Sequence, residues 1–218
     1  MEDTIKVTYK VASTPYKATQ LLNSIPNIAA FDFEAATKYT AEEQAEYAKM
    51  SQDPQYTLQD RRMLHSMAKA TALSHPTHVL LTHLSVGISE TEAFVIIMHN
   101  DRMRRLVLQW LIETDVTQIW HNATFDFKHI YYHTGQFPKN YEDTQQLAKT
   151  IINHVETYKA KTGLKELAGP HYGAWAVAAD YFTLDQMFNP KLLEYAATDG
   201  AATMWLWNSI QHHLKEQQ

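Results

Sequence analysis

Short apolar runs rich in β-branched residues predict the strands of this chain. The first strong run covers residues 28–33 (IAAFDF), and two more cover 79–88 (VLLTHLSVGI) and 93–98 (AFVIIM). The last two are separated by a polar Ser-Glu-Thr-Glu stretch, which predicts a hairpin. Residues 118–120 are predicted to form a further short strand.

Helical spacing of apolar residues indicates that most of the remaining chain is helical. The last helix is introduced by Asn189-Pro190, which places proline in its first turn. Helices that alternate with strands after an early hairpin predict a mixed α/β fold. The predicted helices cover residues 102–113, 125–132, 142–153, 164–168 and onward, and about 191–214.

Residues 36–78 separate the first predicted strand from the second and carry helix signals of their own. Thr40 and Glu43 form a capping-box pattern. A narrow apolar stripe is formed by Leu64, Met67, Ala68 and Thr71. We therefore predict a helical insertion at about 36–78. Because no internal repeat or long Pro/Gly/Ser linker interrupts the chain, we expect a single domain over 1–218.

Composition narrows the possible partners and chemistry. The formal net charge is −5, so no global positive field attracts nucleic acid, and a phosphate partner must be bound locally. The chain has no cysteine, which excludes disulfides, cysteine-ligated zinc, iron–sulfur clusters and thiol nucleophiles. The first residues lack the apolar stretch of a signal peptide, and no apolar run could span a membrane. We expect a cytoplasmic protein with no membrane partner.

Asp32 and Glu34 are two residues apart in a strand that is predicted to be buried. The pleat of a strand directs both carboxylates to one face and directs Phe31 and Phe33 to the other. Two neighbouring buried carboxylates are costly, and a bound cation is the simplest compensation. A strand end at which both acids reach water explains the Asp-x-Glu pattern about equally well.

Two later segments add candidate residues. Asp126, in the segment HNATFD, is predicted near a helix N-terminus at the carboxyl end of a strand, where open α/β sheets bind ligands. Tyr195 and Asp199, in EYAATDG, are four residues apart and therefore share one helix face. Taken singly, Asp199 is also compatible with an exposed helix charge and Tyr195 with a half-buried aromatic residue.

The segments FDFE, HNATFD and YAATD, in this order, resemble the three motifs of the DnaQ-like, or DEDD, exonuclease superfamily. Tyr195, four residues before Asp199, resembles the tyrosine branch of that superfamily, and the likeness is greatest to the proofreading 3′–5′ exonuclease domain of family A DNA polymerases. The resemblance implies a ribonuclease H-like mixed sheet flanked by helices, with a helical insertion after the first strand. It covers roughly residues 28–210.

The resemblance also implies roles for single residues. Asp32, Glu34, Asp126 and Asp199 are expected to hold two Mg²⁺ or Mn²⁺ ions, and Tyr195 to orient the attacking water. Phe33, Asn122 and Phe125 are the expected substrate contacts. Five lysines near the second and third motifs line either the substrate phosphates or a solvated face, two readings that are about equally good: Lys128, Lys149, Lys159, Lys161 and Lys165.

The predicted function is therefore a two-metal 3′–5′ exonuclease that releases nucleoside 5′-monophosphates from single-stranded DNA, with a proofreading-type activity. An expected partner besides the DNA is a polymerase, in the cytoplasm of a bacterium or of a phage-infected host. One alternative is a 3′–5′ exoribonuclease with the same site. Another is a non-catalytic nucleic-acid-binding module, although such a module has no need to hold four carboxylates together.

Overall fold

The structure is a computed structural model that describes residues 4–71, 73–152 and 161–216. This part of the chain contains one sheet of six strands in the spatial order β1-β4-β3-β2-β5-β6 once the strands are numbered along the chain. The strands are β1 (Thr8–Ala12), β2 (Ile28–Thr37), β3 (Val79–Gly87), β4 (Glu92–Ile97), β5 (Thr117–Trp120) and β6 (Tyr141–Asp143).

Helices flank this sheet, and two short 3₁₀ turns, Ala179–Phe182 and Leu184–Gln186, precede the last of them. None of the helices in the described ranges is both long enough and apolar enough to cross a membrane. The helices are α1 (Pro15–Asn23), α2 (Ala41–Met50), α3 (Leu58–Ala68), α4 (Asp101–Glu113), α5 (Thr124–Thr134), α6 (Thr144–Ile152), α7 (Leu164–Tyr172) and α8 (Pro190–Glu216).

The predicted mixed α/β fold and its hairpin are confirmed. Strands β3 and β4 pair antiparallel, and β2 pairs antiparallel with β3 and parallel with β5. The segment 36–78 holds α2 and α3, and each helix begins with a capping box, at Thr40 and at Thr57. The strand that precedes this segment is second in the chain, because β1 and α1 come before it.

Strand β1 and helix α1 are elements that the sequence analysis did not predict. Strand β1 lies at the edge of the sheet, parallel to β4, and Ala12 is its one buried residue. It therefore has no apolar run to reveal it. The start of α1 did carry a local signal, since Thr14 caps it and Pro15 occupies its first turn.

The helix predicted at 142–153 begins later than expected. Glu142 and Asp143 belong to β6, where they pair in parallel with Ile119 and Trp120 of β5. Helix α6 starts at Thr144, whose hydroxyl donates to the Trp120 carbonyl at 3.0 Å. The prediction was wrong at this end because pairing with β5 takes precedence over local helix preference. Residue 153, its predicted last residue, lies outside the described residues.

Strand β2 separates an aromatic core from a helix. On one face, Phe31 and Phe33 pack against Trp120, with ring centroids 5.5 and 5.6 Å apart. On the other face lies α8, which approaches the sheet closely: a Cβ on Gly87 would lie 2.1 Å from the Gly200 carbonyl oxygen. Glycine at these two positions therefore lets α8 bring Asp199 close to β2.

Candidate active site

Three carboxylates converge between β2 and α8. Asp32 and Glu34 extend from the same face of β2, and each has an oxygen within 4.8 Å of a carboxylate oxygen of Asp199. Asp32 is half-buried, whereas Glu34 and Asp199 are buried. The alternation of β2 and the close packing of α8 thus place three acids, predicted from separate segments, in one cluster.

Asp126 reaches the same region from another direction. Strand β2 pairs with β5 only at residues 28–30, so the backbone N–H of Phe33 has no strand partner on that side. Asp126, in the first turn of α5, accepts this N–H at 3.2 Å and is 3% exposed. Asp126 lies outside the three-carboxylate cluster but is close enough for the Asp32 charge to raise its pKa.

Burial and mutual repulsion make these acids difficult to ionise. Burial, followed by the charge of Asp199, raises the pKa of Asp32 to about 7. The pKa of Glu34 is raised well above its ordinary value, first by burial and then by the Asp32 charge. Burial is also the largest cause that raises the pKa of Asp126. Carboxylates in such a cluster are stabilised by cations.

Tyr195 lies on the same face of α8 as Asp199, one turn before it. Lys165, in the first turn of α7, donates through Nζ to the Tyr195 hydroxyl at 3.0 Å and also to Asp199 Oδ1. Burial, and then the charges of Asp199 and Glu34, raise the pKa of the Tyr195 phenol. The phenol is therefore protonated at neutral pH, because the unperturbed pKa of tyrosine is already about 10 and the shift is upward.

Two residues of this site were missed by sequence reasoning. Lys165 was grouped with four other lysines as a phosphate or surface residue, and Lys159 of that group lies outside the described residues. Trp175 had no assignment, yet its indole N–H donates to Asp199 Oδ1 at 2.5 Å. Trp175 lies in an irregular segment between α7 and the first 3₁₀ turn, where no periodic pattern marks a buried position.

Asp143 supports the turn that carries HNATFD. Its two carboxylate oxygens each accept a backbone N–H at 3.0 Å, from Asn122 and from Ala123. Asn122 has a φ of 59°, in the left-handed region. The turn between β5 and α5 is thereby fixed, and with it the start of the helix that bears Asp126.

A cavity of about 600 Å³ opens beside the acids. Glu34 and Tyr195 line it together with the aromatic side chains of Phe33, Phe125 and Phe182, and Thr71 and Leu73 add a wall from the segment before β3. Two of the three expected substrate contacts, Phe33 and Phe125, thus border this cavity. Asn122 is exposed and is not among its lining residues.

The donor set of the site fits divalent metal ions. Glu34 Oε1 is buried, and no hydrogen-bond donor of the described residues reaches it. Three carboxylates share one cluster with Lys165 as the cation bonded to it. Hard cations such as Mg²⁺ and Mn²⁺ prefer oxygen ligands of this kind.

The chain was compared with known proteins by sequence and by structure. A sequence profile of the family described as 3′–5′ exonuclease matches residues 71–215, which include Asp126, Tyr195 and Asp199. The match begins after β2, so the positions of Asp32 and Glu34 in the site rest on the geometry above. No match is found among curated protein sequences.

Several solved structures share the fold over nearly all of this chain. NrnC of Brucella melitensis with bound Mg²⁺ is 15% identical, with 99% of this chain and 84% of that chain covered and a TM-score of 0.56. RNase D of Escherichia coli, an exoribonuclease involved in structured RNA processing, is 14% identical (96% and 46% covered, TM-score 0.57). RNase D of Trypanosoma brucei in complex with RNA U12 is 16% identical (94% and 63% covered, TM-score 0.59).

The profile match covers more than half of the chain, and the solved structures agree with it in fold. The acidic cluster between β2 and α8 could hold a metal ion, in agreement with this family. The chain belongs to the 3′–5′ exonuclease family of DEDD type, whose members are metal-dependent phosphodiester hydrolases that use two divalent metal ions.

Proposed function

We propose that the protein removes nucleoside 5′-monophosphates one at a time from the 3′ end of single-stranded DNA. The observation that carries the proposal is the convergence of Asp32, Glu34 and Asp199 beside a cavity with aromatic walls. A cavity lined by Phe33, Phe125 and Phe182 suits unpaired bases, because aromatic rings stack on any base. A paired duplex end has no free base for such a cavity.

Asp32, Glu34 and Asp199 are the residues proposed to hold the metal ions, with Asp126 as a further ligand. When bound, Mg²⁺ or Mn²⁺ supplies the positive charge that lowers the pKa of water and stabilises the leaving 3′ oxygen. The carboxylates of the chain set the positions of that charge relative to β2 and α8. The cavity beside Glu34 admits the terminal nucleotide.

Tyr195 is proposed to orient the attacking water. Since its phenol is protonated at neutral pH, it acts as a hydrogen-bond donor and not as a base. Its hydroxyl oxygen already accepts from Lys165, and Tyr195 lines the same cavity as Glu34. The water is thus held at the junction between the acids and the cavity.

A specific observation also favours RNA as the substrate. The solved structures of similar fold include an exoribonuclease and an RNase D bound to RNA. The acids contact a phosphodiester that both polymers contain, so the same site would serve either. A 3′–5′ exoribonuclease is therefore the second candidate function.

Matched DNA and RNA oligonucleotides of one sequence, labelled at the 5′ end, test the proposal. We expect the oligonucleotides to shorten from the 3′ end in the presence of Mn²⁺, and the DNA to be hydrolysed faster than the RNA. Faster hydrolysis of RNA would replace the first candidate by the second. A proofreading role and a polymerase partner rest on the resemblance to polymerase proofreading domains, and a mixture of matched and mismatched primer ends tests them. The cytoplasmic location stays a prediction.

A further inference from the structure

Lys165 is the cation that lies closest to the proposed catalytic groups among the described residues. Its ammonium bonds to Tyr195 and to Asp199, and lies 4.3 Å from the Tyr195 ring centroid and 5.0 Å from that of Trp175. Two aromatic rings and two oxygen acceptors thus define the position of Nζ. The side chain is 39% exposed, so it also reaches solvent.

The hydrogen bond from Lys165 determines how the Tyr195 hydroxyl is used. An ammonium group has three N–H donors and no acceptor, so the Tyr195 oxygen must accept. The single phenolic proton then points away from Lys165 and is available to a different acceptor. Lys165 therefore fixes Tyr195 as a donor toward the acids and the cavity.

The second bond from Lys165 affects metal binding. Asp199 Oδ1 accepts from both Lys165 and Trp175, and Asp199 is also one of the three clustered carboxylates. A divalent cation held by Asp199 would share that carboxylate with the Lys165 ammonium, and like charges that share one carboxylate repel. Lys165 therefore weakens cation binding while it neutralises part of the acidic cluster.

Helix α7 does not need the Lys165 ammonium for its position. Ala168 and Tyr172 are buried and pack against Ala201 and Ala202 of α8. The Tyr172 hydroxyl also lies 2.6 Å from the Glu90 carbonyl oxygen and 3.1 Å from the Ala201 carbonyl oxygen, and it donates its one proton to this pair. A change at Lys165 is therefore expected to leave the helix in place.

We propose that Lys165 is a positioning residue that fixes the Tyr195 hydroxyl for the reaction and lowers the affinity of the site for divalent cations through Asp199. The positioning half, which concerns the Tyr195 hydroxyl, rests on the proposed function. The metal half, which concerns cation affinity, does not, because cation binding is measured without nucleic acid. Removal of Lys165 should therefore lower kcat but raise the affinity for divalent cations. Removal of a purely structural lysine would lower both.

The first experiment measures Mn²⁺ binding at equilibrium by calorimetry. We compare the wild type with Lys165→Met and with the control Lys139→Met, whose ammonium bonds to Glu113 and Asp115. Loss of the Lys165 charge should tighten binding by roughly tenfold, and the control should bind as the wild type does. Equal or weaker binding by Lys165→Met would overturn the metal half of the proposal.

The second experiment is a double-mutant cycle at saturating Mn²⁺ with a 5′-labelled single strand. Lys165→Met should lower kcat by about 10- to 100-fold, the range for groups that orient a reactive residue, with KM nearly unchanged. If Lys165 acts through Tyr195, the same change in a Tyr195→Phe background should cost much less. An undiminished loss in that background would overturn the positioning half. A wild type that cuts no 3′ end refutes the proposed function and this half, while the calorimetry still decides the other half.

Discussion

The backbone N–H of Phe33 donates to the carboxylate of Asp126 at 3.2 Å, which links two segments 93 residues apart in sequence. The bond exists because β5 ends before it reaches this part of β2. Asp126 thus accepts the Phe33 N–H that a neighbouring strand would otherwise have accepted. This bond holds Asp126 near Asp32. Its structural role and its proposed chemical role can be separated by mutation.

Asp126→Asn should abolish turnover while the fold persists. Asparagine keeps an Oδ1 acceptor for the Phe33 N–H but removes the negative charge that a metal ion needs. Asp126→Ala removes both, which leaves a buried donor unpaired at a cost of about 1–3 kcal/mol. We expect a fall in kcat of at least about 100-fold in both variants, and a lower Tm in Asp126→Ala alone.

Rate assays and thermal scans in chelator measure these effects. For a chain of this length each kcal/mol shifts Tm by roughly 2–4 °C. A near-normal rate in Asp126→Asn would remove Asp126 from the site. Equal Tm values for the two variants would show that its bond to Phe33 contributes nothing to stability.

The stability of the protein in chelator should depend on pH through Asp32. Its pKa is about 7 in the folded protein and about 3.9 in an unfolded chain. Between these values the native state holds a proton that the unfolded chain has released, so the free energy of unfolding falls as pH rises. Asp32→Asn removes this contribution, and its Tm should exceed that of the wild type by a margin that grows from about pH 4 to about pH 7.

Thermal scans across this pH range test the prediction, with Asp115→Asn as the control because its side chain is 91% exposed. The control should follow the wild type at every pH. His83 and His129, whose pKa values are lowered by burial, change the absolute curves but are common to all three proteins. The Asp32 charge also raises the pKa values of Glu34 and Asp126, so its loss in Asp32→Asn adds to the margin in the same direction. A margin that stayed constant with pH would mean that burial and the Asp199 charge do not raise the pKa of Asp32.

Tyr195→Phe should lose turnover and keep stability. The phenylalanine ring retains the contact with Phe182, whose centroid lies 5.7 Å away, and loses only the hydroxyl. If that hydroxyl orients the water, kcat should fall by about 10- to 100-fold with little change in Tm. Single-turnover rates at saturating Mn²⁺ measure the effect, and an unchanged rate would exclude this role for Tyr195.

The polarity of digestion should follow from the cavity beside the acids. Under the proposed function, a free 3′ end with unpaired bases enters the cavity that Phe33 and Phe125 line, whereas a blunt duplex must first separate. We expect 5′-labelled single strands to shorten stepwise and blunt duplexes to be cut more slowly. Efficient cleavage of circular single strands would contradict a requirement for an end.

Much of the site could be predicted because local periodicity encodes it. The alternation of β2 places Asp32 and Glu34 on one face of that strand. The helical spacing of Tyr195 and Asp199 places both on one face of α8. Lys165 could not be found in this way, because its partners lie 30 and 34 residues away on a different helix. Trp175 lies in a segment without regular structure, so only the packed chain shows its bond to Asp199.

Elements missed in the predicted fold also lack a local signal. Apolar runs in the sequence predict the core strands, whereas β1 lies at an edge of the sheet and buries only one residue. Strand β6 is three residues long and is specified by its pairing with β5, not by its own composition. Elements that depend on a distant partner carry little local signal.

The most direct test of the metal site is a time course with a 5′-labelled single strand, Mn²⁺ and two proteins, the wild type and Asp32→Asn. Asp32 has an oxygen within 4.8 Å of oxygens of Glu34 and Asp199, and asparagine keeps its shape while removing its charge. The wild type should produce a ladder that shortens from the 3′ end, in Mn²⁺ and not in chelator, and Asp32→Asn should produce none over the same period. The same ladder from both proteins would show that hydrolysis does not use this cluster of acids.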